Sequence, residues 1–219
     1  MNNNIYYLEN FLDINEAKKI SEDIYNIDRD WWYLSILPID SNNTKKEFRD
    51  LPEIMNTDEI KNIIKYNDSI YNTEKFCYRF YRDINNHYKS CDCGICLIKK
   101  LFNSDEIKNK IEKIINKKIK NYETTFVSKY EKDNFLTVHH DKGNGDYAFI
   151  YQLTPEWNII HGGLLTFCNN NNIYKVISPE FNTFSVFKIK GENITDHFVS
   201  KVTGPNARIA YTGWFSVEK

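Results

Sequence analysis

The sequence predicts an α+β protein: a double-stranded β-helix, or jelly roll, carried on an N-terminal helical support. Three observations lead there. Apolar residues recur at helical spacing through the first half. From about Tyr122 the period changes to two. Eight short strand-like segments then succeed one another with turn signals between them.

In chain order, Asp13 followed by Glu16 resembles a helix capping box, and Ala17, Ile20, Ile24 and Ile27 behind it share one helical face. Trp31-Trp32-Tyr33-Leu34 reads as a buried strand, and Pro38 ends it. A second helix is expected after Thr57, with Ile60, Ile63, Ile64 and Tyr71 on its apolar side. A third is expected after Ser104, with Ile107, Ile111, Ile114 and Ile115. Residues 1–121 therefore form the expected support, and residues 122–219 the jelly-roll core. Its strands are expected at 123–128, 135–139, 147–153, 164–168, 173–177, 183–189, 197–202 and 208–217. Gly143-Asn144-Gly145, Gly162-Gly163, the asparagine run at 169–172 and Gly204-Pro205-Asn206 supply turns between them. No Pro/Gly linker divides the halves, so one integrated domain is expected.

A chain of 219 residues buries a sizeable core without staples. Lys and Arg number 29 against 30 Asp and Glu, so net charge gives no case for a nucleic-acid partner beyond a local basic patch. The first residues lack the basic and apolar regions of a signal peptide. No apolar run reaches the roughly 20 residues of a membrane span, so no membrane partner is expected. Five cysteines, an odd number, argue for thiols rather than a disulfide framework, and the chain reads as soluble, intracellular and cytoplasmic.

The chemistry concentrates in His139-His140-Asp141, with His197 and Arg208 at a distance along the chain. In a strand, residues two apart share a face, so His139 and Asp141 can aim inward while His140 points away. Two histidines and one carboxylate on one face of a metal leave three coordination positions open, the arrangement of a non-haem Fe(II) oxygenase. Arg208, opening the last strand, is placed to neutralise the far carboxylate of a keto-acid co-substrate. H-x-D alone is weak evidence. The ordered set on an eight-strand pattern is much stronger.

The segment Tyr130-Glu-Lys-Asp-Asn-Phe-Leu-Thr-Val-His-His-Asp141 resembles the entry strand of the prolyl-4-hydroxylase-like iron(II)/2-oxoglutarate dioxygenases. Tyr147 to Trp157, then Gly162-Gly163-Leu-Leu-Thr-Phe, resembles that family's strand–Trp–Gly-Gly block. Asn182 to Phe187, His197-x-Val199 and Arg208-Ile-Ala-Tyr-Thr-Gly-Trp-Phe215 complete the pattern. The resemblance covers about Ser128 to Phe215 and is closest to the branch that includes the ribosomal-protein prolyl hydroxylases. It implies Fe(II) on His139, Asp141 and His197, and 2-oxoglutarate anchored by Arg208. Thr212 and Tyr130 would lend hydroxyls, and Trp214 would form a wall. It also implies O2 as co-substrate, ascorbate as a helper reductant, and a protein or peptide substrate hydroxylated at an unactivated C–H, foremost a prolyl residue.

One position departs from the family. Many relatives carry tyrosine where this chain has Gln152. Tyr151, one residue earlier, should face the other side of its strand, leaving the Gln152 amide to hydrogen-bond the co-substrate instead.

A second constellation, His87, Cys91, Cys93 and Cys96, could form a tetrahedral Cys₃His zinc site, with Gly94 easing the turn. Its plainer reading is a loop of free thiols. Cys77 and Cys168 sit in apolar strand contexts and read as core. Two other functional classes stay open: an oxygenase acting on a small molecule, another side chain or nucleic acid, and a catalytically weak jelly-roll binding module.

Overall fold

The computed structural model describes residues 5–83, 91–170, 172–191 and 196–218. The first half alternates strands with helices: β1 (Ile5–Leu8), α1 (Ile14–Tyr25), β2 (Trp32–Leu37), β3 (Lys46–Arg49), α2 (Pro52–Met55), α3 (Asp58–Tyr71), β4 (Tyr78–Asp83), α4 (Gly94–Phe102) and α5 (Asp105–Ile115). The second half is almost all strand: β5 (Ile119–Tyr130), β6 (Phe135–His139), β7 (Tyr147–Gln152), β8 (Leu165–Asn169), β9 (Asn172–Ile177), β10 (Phe184–Lys188), β11 (Asp196–Val199) and β12 (Arg208–Val217).

The helix starts obey their capping chemistry. Asp13 accepts from the backbone N–H of Asn15 and Glu16, Thr57 from Ile60, and Ser104 from Ile107. On α1 and α5 the expected apolar faces are buried, with Ala17, Ile20 and Ile24 on the first and Ile107, Ile111 and Ile115 on the second; on α3 the buried residues are Ile60, Asn67 and Ile70, while Ile63, Ile64 and Tyr71 are half-buried. The eight expected strands of the second half all form, and Asn169 pairs with Asn172 across the β8–β9 hairpin.

Among the described residues twelve strands make one curled antiparallel sheet, ordered β1-β10-β7-β12-β5-β4-β6-β11-β8-β9, with β2 and β3 attached through β4. The jelly-roll pattern predicts two facing sheets. Instead the run that contains β12 and β7 and the run that contains β6 and β11 are hydrogen-bonded through β4. That strand pairs with β5 at Tyr81 and Arg82 and with β6 at Tyr78 and Arg79. The first half is therefore not purely a helical support, because it donates the strand that joins the two runs.

Side-chain alternation divides the interior. Phe149 and Tyr151 of β7 and Ile209, Tyr211 and Phe215 of β12 turn to one side, where they pack with Ala17, Ile20, Ile95, Phe102 and other residues of α1, α4 and α5. Ala148 and Ile150 of β7 and Ala210 of β12 turn to the other, toward Phe126, Leu165, Phe187 and Val199. The first core seats helices on the sheet. The second surrounds a cavity. Among the described residues no helix is long and apolar enough to cross a membrane.

Candidate active site

The curl of the sheet leaves a cavity of about 370 Å³ whose wall carries His139, Asp141, His197, Arg208, Thr212 and Tyr130 together. Strand pairing accounts for their convergence. His139 ends β6 and His197 lies in β11, and the two are direct Cα partners with ring centroids 4.2 Å apart. Arg208 opens β12 opposite Tyr130, the last residue of β5. β6 stops at His139, so Asp141 comes from the turn beyond it, whose Asn144 N–H donates to the Asp141 carbonyl. His140 between them is exposed, as alternation requires.

The three side chains place a ligand atom each within 4.8 Å of one another. Asp141 spans the pair: Oδ1 lies 3.4 Å from His139 Nε2, and Oδ2 lies 3.4 Å from His197 Nε2. His139 Nδ1 is 3.0 Å from the Thr137 carbonyl, a contact satisfied by an Nδ1–H donor, which leaves the Nε2 lone pair facing the cavity. Burial alone would raise the Asp141 carboxyl. The hydrogen bonds and charge of the two histidines outweigh it and hold the group well below the usual carboxylate range. A buried carboxylate between two imidazoles, with no lysine or arginine on it among the described residues, is a donor set suited to a divalent cation.

Arg208 is the other unusual group. It is 1 % exposed, and its Nε and Nη2 have no hydrogen-bond partner. No carboxylate among the described residues pairs with it. Tyr130 covers it, with the guanidinium carbon 5.1 Å from the ring centre. Burial lowers the guanidinium pKa, as expected of a cation held away from water. An uncompensated buried charge costs several kcal/mol, so the cavity is built for an incoming anion. Gly163 makes room at this spot: it has φ +66°, and a Cβ there would meet Arg208 Cδ and Trp157 Cζ2 at 3.1 Å each.

The remaining co-substrate candidates divide. Thr212 borders the cavity, but its hydroxyl already donates to the Phe149 carbonyl at 3.0 Å. Gln152 shares the strand face of Ala148 and Ile150 but is not part of the cavity wall; it is fully buried with both amide atoms unpartnered. Tyr151 points the opposite way into the helix-side core, where its hydroxyl donates to Asn182 Oδ1 at 2.8 Å. Trp214 forms part of the cavity wall.

Two contributions escape sequence reasoning. Ser185 sits on the same strand face as the cavity-lining Phe187, fully buried, with an unpartnered hydroxyl. A lone serine within Phe184-Ser-Val-Phe187 is the available signal. Tyr78, Phe80 and Arg82 of β4 supply a wall of the cavity from the first half of the chain, and their period-two spacing is visible in the sequence.

Residues 125–216, the stretch that holds His139, Asp141, His197, Arg208 and Thr212, match the 2OG-Fe(II) oxygenase superfamily. The match spans 92 of the 219 residues and shows what this stretch is similar to. The match, together with the fold relatives below, supports a 2-oxoglutarate-dependent dioxygenase, and the His139, Asp141 and His197 set fits iron. The oxygenase shares its fold with solved structures at low identity. A Pseudomonas putida prolyl-4-hydroxylase aligns at 12% identity over 97% of this chain and 91% of that one, with TM-score 0.53. A Burkholderia pseudomallei oxidoreductase of the 2OG-Fe(II) oxygenase family aligns at 12% over 97% and 84%, with TM-score 0.60. A Trichoplax adhaerens prolyl hydroxylase, in complex with a hypoxia inducible factor peptide fragment, aligns at 16% over 98% and 84%, with TM-score 0.50. Among curated protein sequences none is recognisably similar.

Away from the cavity, Cys91, Cys93 and Cys96 bring their sulfurs together, whereas His87 lies outside the described residues. Cys77 and Cys168 are buried, as core thiols should be.

Proposed function

We propose that this oxygenase hydroxylates a prolyl residue in a protein or peptide, with Fe(II) on His139, Asp141 and His197 and 2-oxoglutarate on Arg208. The observation that carries the reading is the buried, unpaired Arg208 guanidinium in the same cavity as the three-ligand cluster. When bound, the iron and 2-oxoglutarate would supply O2-dependent oxidative decarboxylation, giving succinate and CO2 and one oxygen atom for an unactivated C–H.

The chain's own residues do the positioning. Asp141 and the two Nε2 atoms define one face for the metal, and the Thr137 carbonyl holds the His139 ring in the required tautomer. Arg208 takes the far carboxylate, where a planar guanidinium in a dry site favours one orientation. The Gln152 amide and the Tyr130 hydroxyl are the further donors on that side. Thr212 serves only by yielding its bond to Phe149. Ala148, Ile150 and Trp214 line the intervening wall and keep water out. Ascorbate is the expected helper reductant for the iron.

The substrate assignment rests on the mouth. Phe76 is exposed there, borders the cavity and lies 5.4 Å from the His139 ring. It offers an apolar surface beside the metal face of the kind a pyrrolidine ring can pack on. The Trichoplax adhaerens relative in fold carries a peptide. In this reading the curled sheet is a double-stranded β-helix, with residues 1–121 as its support. The test is a library of proline-containing peptides incubated with protein, Fe(II), 2-oxoglutarate, ascorbate and air, with products sequenced by mass spectrometry. A peptide gaining one oxygen on proline, and not with His139→Ala, supports the reading. Succinate release that no proline peptide raises or couples to oxygen gain would remove the prolyl assignment.

A further inference from the structure

Outside the cavity, one other group of side chains in the described residues brings three metal-ligating atoms together. The sulfurs of Cys91, Cys93 and Cys96 all lie within 4.8 Å of one another, and none is in a disulfide. Around a tetrahedral zinc with Zn–S near 2.3 Å, sulfurs sit about 3.8 Å apart, so little movement separates this arrangement from a bound geometry. The cluster stands at the start of α4, where Cys93 occupies the N-cap position.

We propose that Cys91, Cys93 and Cys96 bind a zinc ion that fixes the N-terminus of α4, independently of the catalytic iron. Three features prepare the site. The backbone is held by packing: a Cβ on Gly94 would lie 2.7 Å from the Ile20 carbonyl oxygen, so only glycine lets α4 begin this close to α1. The Cys93 N–H donates to Cys91 Sγ at 3.4 Å, which holds that sulfur beside the start of α4. The charge is matched, because three thiolates on Zn2+ carry one net negative charge, which the positive end of α4 favours. Lys100, further along the helix, reaches back to the Cys91 carbonyl and to Asp92.

Soft sulfur donors select zinc over the hard cations that oxygen sites take. Binding displaces the thiol protons to solvent and changes no oxidation state. The ion would stabilise the helix side of the molecule. Ile95, Ile98 and Phe102 of α4 pack in the core behind the sheet, on the face of β7 opposite the cavity.

The experiment uses the full chain with His139→Ala and Asp141→Ala, which dismantles the iron set so that zinc has no second home. After expression with zinc and removal of loosely held ions, metal is counted by mass spectrometry. The expected result is close to one zinc per chain, falling to background when Cys93→Ser and Cys96→Ser are added. In the zinc-loaded chain, three thiols should become reactive to a disulfide reagent together as a strong chelator removes the metal. Should the serine variants fold poorly, Co(II) is loaded into the chain with its cysteines intact, and thiolate-to-cobalt charge-transfer absorption is expected. A freshly reduced chain that holds no zinc and shows no such absorption overturns the proposal. So does zinc unaffected by the serine substitutions. A metal-free chain that closes a disulfide within the cluster and refuses zinc when reduced would overturn it too, marking a redox dithiol instead.

Discussion

His139 and His197 are direct cross-strand partners, and this single pairing sets both nitrogen donors of the candidate metal face at once. A slip of one residue between β6 and β11 would turn one imidazole to the outside. The carboxylate donor is independent of that register, because Asp141 belongs to the turn after β6 and reaches back to both rings.

Replacing either histidine or the aspartate by alanine should therefore abolish Fe(II) binding with little effect on folding. Loss of an outer partner costs a metal site roughly 10–100-fold in affinity or activity, and loss of a ligand should exceed that. Succinate formation should fall to background, while melting temperature should move by only a few degrees, about what 1–2 kcal/mol does to a domain of this size. Retained turnover in His139→Ala would remove the ligand assignment.

Arg208→Met should have opposite effects with and without co-substrate. Alone, the variant loses an uncompensated buried charge, so stability should hold or rise by roughly 1–2 kcal/mol. With Fe(II) and 2-oxoglutarate at about a hundredfold above Kd, the parent chain should gain about 2.7 kcal/mol and the variant almost nothing. Thermal melts with and without 2-oxoglutarate read both effects. Equal stabilisation of the two chains would show that the anion binds elsewhere.

Gln152 and Tyr151, adjacent on β7 and facing opposite cores, should separate cleanly. Gln152→Leu should raise the 2-oxoglutarate Kd by roughly tenfold or more, the worth of a hydrogen bond to a charged group. Tyr151→Phe should leave that Kd alone and cost about 1 kcal/mol of stability through its buried bond to Asn182. Isothermal titration of both variants checks the pair, and the reverse pattern would show that the β7 side chains are misassigned.

Gly163→Ala should weaken 2-oxoglutarate binding without touching a ligand. The new methyl would meet Arg208 Cδ at 3.1 Å on a backbone at φ +66°, a conformation that costs a residue with a Cβ roughly 1–2 kcal/mol. Chemical denaturation should show that loss, and the 2-oxoglutarate Kd should rise with it. An unchanged Kd would mean that Arg208 tolerates displacement.

The metal face is legible in the sequence because its residues obey short-range rules. His139, His197 and Arg208 sit at strand ends that period-two alternation and turn residues mark, and Asp13, Thr57 and Ser104 announce their helices through capping chemistry. The features that escape depend on long-range pairing. β4 bridges the two runs of strands and lines the cavity, yet nothing local says that Tyr78-Arg-Phe-Tyr-Arg-Asp83 will lie between β5 and β6. α4 escapes because it starts at Cys93, a residue type outside the usual capping set, and reads locally as a thiol loop. Ser185 and the donor bond of Thr212 become visible only with the partners that bury them.

The most direct measurement is an anaerobic titration of the Fe(II)-loaded chain with 2-oxoglutarate, monitored by visible absorption. Chelation of a keto acid by iron on His139, Asp141 and His197 predicts a metal-to-ligand charge-transfer band that saturates with 2-oxoglutarate. The band should be lost in His139→Ala and require far more 2-oxoglutarate in Arg208→Met. Iron-loaded protein that develops no band at any 2-oxoglutarate concentration would contradict the account.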